Sequence, residues 1–291
     1  MRIFMNEQED NMNDEQDYIS GMLNRTLLYI DPESVEKVKN TVFAIAGMGG
    51  VGAITVELLA RWGVKKFRLF DMDVYDASNL NRQLFATSET IGKYKVDVAA
   101  DRIKQINPYA DVEMLVREMA NNDNVEPFVK GAGMVIQNAD RPSAKLFYLN
   151  AQKHKVPLVN GYATITGGRV QTFDYRVSCC ETFLDCWWNR IKLRNSKPLM
   201  EMTCEEVNCF DKAYVHQTSP SLNFVTNMVG CLIVAEAIKL LTGRGKCALY
   251  PKYLAFDTFD YQMNIRHCLS PFNPDNIRRV TTLIKRRFSI G

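Results

Sequence analysis

Several things are missing from this 291-residue chain, and each absence narrows what it does. The first residues lack a basic stretch followed by an apolar one, so a secretory leader is not expected. No long uncharged apolar run is present either. The most apolar segment, LNFVTNMVGCLIVAEAIKLL (222–241), carries two Asn, Glu236 and Lys239. Its uncharged part falls short of the roughly 20 apolar residues that cross a bilayer, so it reads as a buried helix. Charge of one sign is not in excess: 36 basic and 33 acidic residues leave a net +3. That balance gives no reason to expect a polyanion, and a tRNA partner is not indicated by charge. Repeats and low-complexity linkers are absent. Eight cysteines without a leader read as reduced thiols in the cytoplasm, not a disulfide framework.

What is present is enough apolar residue, 46%, for a sizeable core. Strand and helix signals alternate from residue 41 to about 160. TVFAIA (41–46), KKFRLFD (65–71), ADVEMLV (110–116), GMVIQNAD (133–140) and VPLVNGY (156–162) read as strands. Helices are expected over 50–62, 93–106 and from Pro142 to about Lys153. This is the pattern of an α/β doubly wound, mostly parallel Rossmann-like sheet. After Tyr162 the pattern changes. ATITGGRVQTFDY reads as a hairpin with its glycines at the turn, residues 175–220 as irregular, 221–241 as a helix and KYLAFDTFDYQMNIRHC as one or two antiparallel strands. The expected organisation is an acidic flexible terminus (1–20), one domain (21–270) and a basic tail (271–291). Within the domain, a nucleotide-binding half covers about 41–160 and a substrate half about 161–270. Right-handed crossovers bring the glycine loop, Asp71 and Asp140 to one sheet edge, where such folds bind ligands.

GMGGVG (47–52) follows a strand and opens a helix. Gly47 permits the tight turn, Gly49 lets the backbone approach a phosphate, and Gly52 allows close helix packing. The helix start at Gly50 offers free N–H groups to an anion. Asp71, with Asp73 two residues on, is placed to accept ribose hydroxyls. A dinucleotide fits this much. Cleaving a triphosphate asks for more positive charge and a divalent ion. SNLNRQ supplies Asn79, Arg82 and Gln83, GKYKVD supplies Lys93 or Lys95, and Asp140 is suited to Mg²⁺. Singly, each has a plain explanation: a surface Arg82, a solvated Lys95, an Asp140 that caps a helix. Together and in this order they favour ATP over NAD(P).

With these residues in view, the sequence resembles the ThiF/MoeB type of adenylyltransferase, related to the adenylation domains of ubiquitin-activating enzymes. GMGGVG, LFDMDVYDASNLNRQ, IGKYKVDVAADRIKQINP, NAD (138–140), HKVPLVNGYATITGGRV, LNRTLLY and VGCLIVAEAIKLLTG carry the resemblance, which covers roughly residues 20–260. It implies Asp71 as ribose ligand, Asn79 and Arg82 as phosphate ligands with Gln83 beside them, Lys95 as the phosphate lysine and Asp140 as the Mg²⁺ ligand. Arg25 resembles an arginine donated in trans to the partner's site, which implies a homodimer. The implied reaction is attack of a carboxylate on the α-phosphate of ATP, the acid being a small ubiquitin-like or sulfur-carrier protein or a peptide. The nucleophile is already ionised, so the scarcity of histidine (His154, His216, His267) is no objection. The alternatives are an NAD(P)-dependent oxidoreductase, a non-catalytic partner subunit, and a tRNA-modifying dehydratase of the same family.

The sequence departs from the family in its cysteines. Relatives hold zinc with two C-x-x-C pairs. Here Cys179, Cys180, Cys186, His267 and Cys268 form neither pair, and the preferred reading is packed thiols, not zinc. Cys204 stands where some relatives carry an acyl-accepting thiol, but Glu205 and Glu206 oppose a thiolate unless a helix begins there. Cys209 is a weaker candidate. No carrier-like or sulfurtransferase extension follows, so the acyl acceptor is expected to be a separate molecule.

Overall fold

The computed structural model describes residues 14–177, 197–213 and 220–268, with Ser270 and Asn273. Their framework is one eight-stranded sheet: β1 (Val42–Ala46), β2 (Lys66–Phe70), β3 (Asp111–Val116), β4 (Met134–Gln137), β5 (Leu158–Ala163), β6 (Gly167–Phe173), β7 (Lys252–Asp257) and β8 (Gln262–His267). The strand order is β3-β2-β1-β4-β5-β6-β7-β8. The first five are parallel and the last three antiparallel. The central strands are apolar on both sides because helices cover both. On β1, Phe43 and Ile45 face α3 (Gly50–Arg61), α4 (Lys95–Ile106) and α8 (Asn223–Thr242), while Ala44 and Ala46 face α5 (Asn122–Val129) and α6 (Lys145–Lys153). Phe70, Phe128 and Phe147 seat that second layer edge to face, with ring centroids 5.1–5.8 Å apart.

By length and composition α8 could cross a bilayer, but it packs in the core. Val225, Val229, Ile233, Ala237 and Leu241 are buried at helical spacing. Its Glu236 is satisfied in place, accepting from the Thr172 hydroxyl (3.0 Å), the Ala248 N–H (2.6 Å) and Lys239.

The structure departs from the sequence expectations in four places. Residues 14–23 are helical (α1), so residues 14–20 are not a flexible terminus. Ile19 and Leu23 are buried against Ile30 and Val35, and the Tyr18 hydroxyl donates to the Ile106 carbonyl. Gly167 and Gly168 lie inside β6, and the turn is 164–166. A Cβ at Gly168 would come within 2.4 Å of Val229 on α8, so close packing, not turn geometry, excludes a side chain there. Within the stretch expected to be irregular, α7 (Cys204–Lys212) forms behind a Thr203–Glu206 capping box. Finally, β4 ends at Gln137, leaving Asp140 three residues beyond the strand. Cys179, Cys180, Cys186 and His216 lie outside the described residues.

Candidate nucleotide site

Strands β1 to β4 end together, and the residues that follow β1, β2 and β4 continue the ladder: Gly47 N–H bonds to Phe70 O, Asp71 N–H to Val116 O, and Asn138 N–H to Ala46 O. The chain reverses its direction across the sheet between β1 and β4, and this opens a crevice at their carboxyl ends. A cleft of about 470 Å³ fills that crevice.

The glycine loop forms one wall. Gly47 takes φ +88°, and a Cβ there would meet the Asn138–Ala139 backbone at 2.8 Å. A Cβ at Gly52 would lie 1.8 Å from the Gly47 carbonyl oxygen. The fold itself therefore requires both glycines. Gly49 differs: the nearest protein atom to a Cβ is the Gln83 amide nitrogen, 3.8 Å away. No described residue forbids a side chain at Gly49, and its bare face opens on the cleft.

Asp71 is fixed by its neighbours. Its Oδ2 accepts the Met48 N–H (2.6 Å) and its Oδ1 the Asp73 N–H (2.9 Å). Each oxygen keeps a second lone pair for a hydroxyl donor. Burial pushes the Asp71 carboxyl above its ordinary value, against the pull of the Lys95 cation and the two N–H groups. Lys95 is the first residue of α4 and only 5% exposed. Its Nζ donates to Asp73 Oδ2 at 3.0 Å. A cation at a helix N-terminus opposes the helix dipole, so this lysine is not placed there for the helix's sake. Lys93 is exposed and lies off the cleft wall.

Asn79 first organises its own loop, its Oδ1 accepting the Asp76 N–H in a capping box. Arg82 lines the cleft and spends one amino group on Ser78 O (2.8 Å) and Asn81 Oδ1 (2.9 Å). Gln83 is buried, and its Oε1 has no hydrogen-bond partner; both side-chain polar atoms of Asn138 are likewise buried and unpartnered. Orphaned polar atoms on a cleft wall fit a polar ligand. Asp140 sits exposed at the rim.

Three expected residues fall elsewhere. Arg25 is exposed before the 3-10 turn Thr26–Leu28 and does not line its own chain's cleft. Cys204 does begin a helix, but its thiol donates to Asp123 Oδ2 at 3.3 Å. That carboxylate raises the thiol above its ordinary value, with a smaller push from Glu118. Cys209 is exposed on the same helix. Sequence reasoning missed Glu118, Arg141, Ser143 and Thr226 on the cleft wall. Glu118 follows the carboxyl end of β3 and was open to the same edge argument as Asp71. Thr226 arrives from α8, 144 residues after Arg82, whose carbonyl its hydroxyl meets at 3.4 Å; no local signal marks it.

The charges decide what the cleft takes. Three cations (Arg82, Lys95, Arg141) face four carboxylates (Asp71, Asp73, Glu118, Asp140). Among the described residues the carboxylates thus outnumber the cations by one, and the N–H groups that open α3 add positive character to the same wall. Asp140 at the rim is the kind of single carboxylate oxygen donor that Mg²⁺ takes together with phosphate oxygens.

Fold and cleft together define a nucleotide-binding α/β protein with a phosphate loop at the sheet's switch point. The ThiF family model matches residues 23–277, and the chain belongs to that family. It is 30% identical over 220 residues to the molybdopterin-synthase adenylyltransferase of Salmonella typhimurium, covering 75% of this chain and 80% of that protein. It is 27% identical over 232 residues to the SAMP-activating enzyme E1 of Haloferax volcanii, covering 79% and 78%. The tRNA threonylcarbamoyladenosine dehydratase of Bacillus subtilis is 36% identical over 137 residues, 47% of this chain and 54% of the dehydratase, so the chain matches about half the length of that relative. Among solved structures, E. coli MccB with AMPCPP and MccA superposes with a TM-score of 0.68 at 19% identity, covering 87% of this chain and 73% of MccB. That likeness shows the shared fold.

Proposed function

We propose that the chain uses ATP to adenylate a carboxylate and releases pyrophosphate, and that the acid is the C-terminus of a small ubiquitin-like or sulfur-carrier protein or of a peptide. The observation that carries this reading is the open face of Gly49, beside the N-terminus of α3 and on the same cleft wall as the buried Lys95. A bare glycine face that the fold does not require, and a cation buried at a helix start, are both explained by a phosphate chain.

In the reaction a carboxylate oxygen forms a bond to the α-phosphorus. The bond from that phosphorus to the bridging oxygen of the β-phosphate breaks, and its electron pair leaves with pyrophosphate. Both reactants are anions, so the protein's task is to hold them together and to neutralise developing charge. The glycine loop and the N-terminus of α3 receive phosphate oxygens. Asp71 orients the ribose, Arg82 and Lys95 oppose charge on the phosphates, and Asn79 and Gln83 donate from their amides. Asp140 would hold Mg²⁺, which would add charge neutralisation at the phosphates. No general base is needed. Arg25, exposed and off its own cleft, completes the partner's site in a homodimer.

The test is ATP–pyrophosphate exchange. Asp140→Ala and Lys95→Ala are expected to lose about 10²-fold or more of the exchange rate while retaining the wild-type melting temperature. Exchange at the wild-type rate in both would remove Asp140 and Lys95 from the mechanism, and absence of exchange in the wild-type protein with every acid tried, with NAD(P) bound in place of ATP, would remove the adenylation reading.

A further inference from the structure

A second cleft, about 500 Å³, opens beside the nucleotide cleft. The two share Asn138, Ala139, Asp140, Arg141 and Ala144. The second is walled by the start of α6, by Tyr148 and by Asn160–Tyr162 of β5. Its polar lining is set by fixed bonds. Asn160 donates to the Gln137 carbonyl and side-chain oxygens (2.9 Å each), and the Tyr148 hydroxyl donates to Gln137 Oε1 (3.2 Å).

Two cations, Arg141 and Lys145, stand on this wall, both only partly exposed. Neither side chain has a hydrogen bond or ion pair among the described residues. The nearby Asp211 carboxylate is spent on the Ser143 N–H (2.9 Å) and hydroxyl (2.5 Å), and Asp140 is the carboxylate at the junction. The arrangement is unfavourable to the fold on three counts. Like charges flank the single 3-10 turn Pro142–Ala144, they lie at the N-terminus of α6, where the dipole favours anions, and they are partly desolvated without a counter-ion among the described residues. An arriving anion relieves all three.

We propose that this cleft takes an acidic acyl tail: Arg141, at the junction, receives the carboxylate that reacts, and Lys145 receives an acidic side chain upstream of it. The inference rests on the adenylation reading and adds the chemistry of its substrate. The three residues of that 3-10 turn rise about 2 Å each, so the two cations stand about 6 Å apart along the axis. An extended chain covers that in about two residues. The acidic residue therefore belongs about two positions before the C-terminus.

Synthetic hexapeptides ending in Gly, with Glu, Gln or Lys at the third position from the end, serve as probes in ATP–pyrophosphate exchange. Wild type is expected to show a KM about five- to tenfold lower for the Glu peptide than for the Gln peptide, and highest for the Lys peptide. Lys145→Gln should level the first two, and Lys145→Glu should reverse the order. Lys145→Glu also places an acid at the helix start, so its melting temperature should not fall; a folded variant is thus assured for the comparison. Equal KM values for Glu and Gln peptides in wild type, an order unchanged by Lys145→Glu, or no response to any of the peptides overturns the inference. A fluorescent ATP analogue displaced by ATP separates the two readings. Nucleotide binding retained without peptide discrimination sinks the acidic tail alone, whereas loss of ATP binding sinks adenylation itself.

Discussion

At Gly52 and Gly49 the same added methyl group should have opposite consequences. At Gly52 it meets the Gly47 carbonyl at 1.8 Å, and a backbone shift is the only relief. Gly52→Ala is expected to cost ~3 kcal/mol or more of stability. At Gly49 the nearest atom is 3.8 Å away. Gly49→Ala is expected to stay within about 0.5 kcal/mol of wild type and to lose nucleotide affinity. Thermal melts and titration with a fluorescent ATP analogue check the pair, and equal destabilisation by both would mean that Gly49 serves only the fold. Cys204 gives a second prediction at this scale. Its thiol is held protonated beside Asp123, so Cys204→Ser should leave ATP–pyrophosphate exchange at the wild-type rate. Loss of exchange in this variant would assign the thiol to the adenylation step. The residues legible in the sequence were those whose chemistry sits in a local pattern: the glycine loop, Asp71 one strand later, Arg82 and Lys95. Thr226 and Ser143 reach the cleft only through tertiary packing, and no spacing announces them.

At the scale of elements, the tie between α7 and the start of α6 is the feature to break. Arg141, at the N-cap position before the turn Pro142–Ala144, has no side-chain capping bond. Asp211 supplies the acceptor from α7 instead, 1% exposed and bonded twice to Ser143. Asp211→Ala leaves a buried N–H and hydroxyl unpaired and is expected to cost about 2–4 kcal/mol. Asp211→Asn keeps one acceptor and offers Ser143 Oγ a donor, so it should cost less. Urea melts measure both, and an alanine variant as stable as wild type would refute the tie. Asp31 gives a pH-dependent counterpart. It caps α2 (Pro32–Lys39), and the Ser34 N–H and hydroxyl, with Arg244 beside them, hold its carboxyl down to about 2 from an ordinary 3.8. The folded value lies below the unfolded one, so its stabilisation is full above about pH 4 and is lost as pH falls toward 2. The stability gap between wild type and Asp31→Asn should close over that window in acid titrations followed by circular dichroism. A gap independent of pH would contradict the capping role. The parallel strands were legible because each is a short apolar run stopped by glycine or a polar turn. By contrast, α5 was not: it is eight residues long and mostly polar before Val125, with Pro127 inside it. Helix α1 was hidden by acidic composition, its buried side just Ile19 and Leu23.

At the scale of the whole molecule, one cleft and one arginine do not lie together in a single chain. Arg25 is exposed, and the cleft of its own chain is lined without it. Beside it, Leu28 and Tyr29 are each 80% exposed, and on α8 Phe224, Met228 and Cys231 make an uncovered stripe at helical spacing. These apolar surfaces suit a second copy of the chain, and a two-fold dimer would give each cleft its partner's arginine. The prediction is complementation. Arg25→Ala and Lys95→Ala are each expected to be inactive as homodimers. In a mixed dimer, one cleft carries both defects and the other carries neither. Co-expression with two different affinity tags isolates the mixed species, and its exchange rate should recover to about half of wild type per dimer. Absence of recovery in verified mixed dimers would place Arg25 outside the reaction. A monomer by light scattering at assay concentration, with full activity, would remove the trans arrangement altogether.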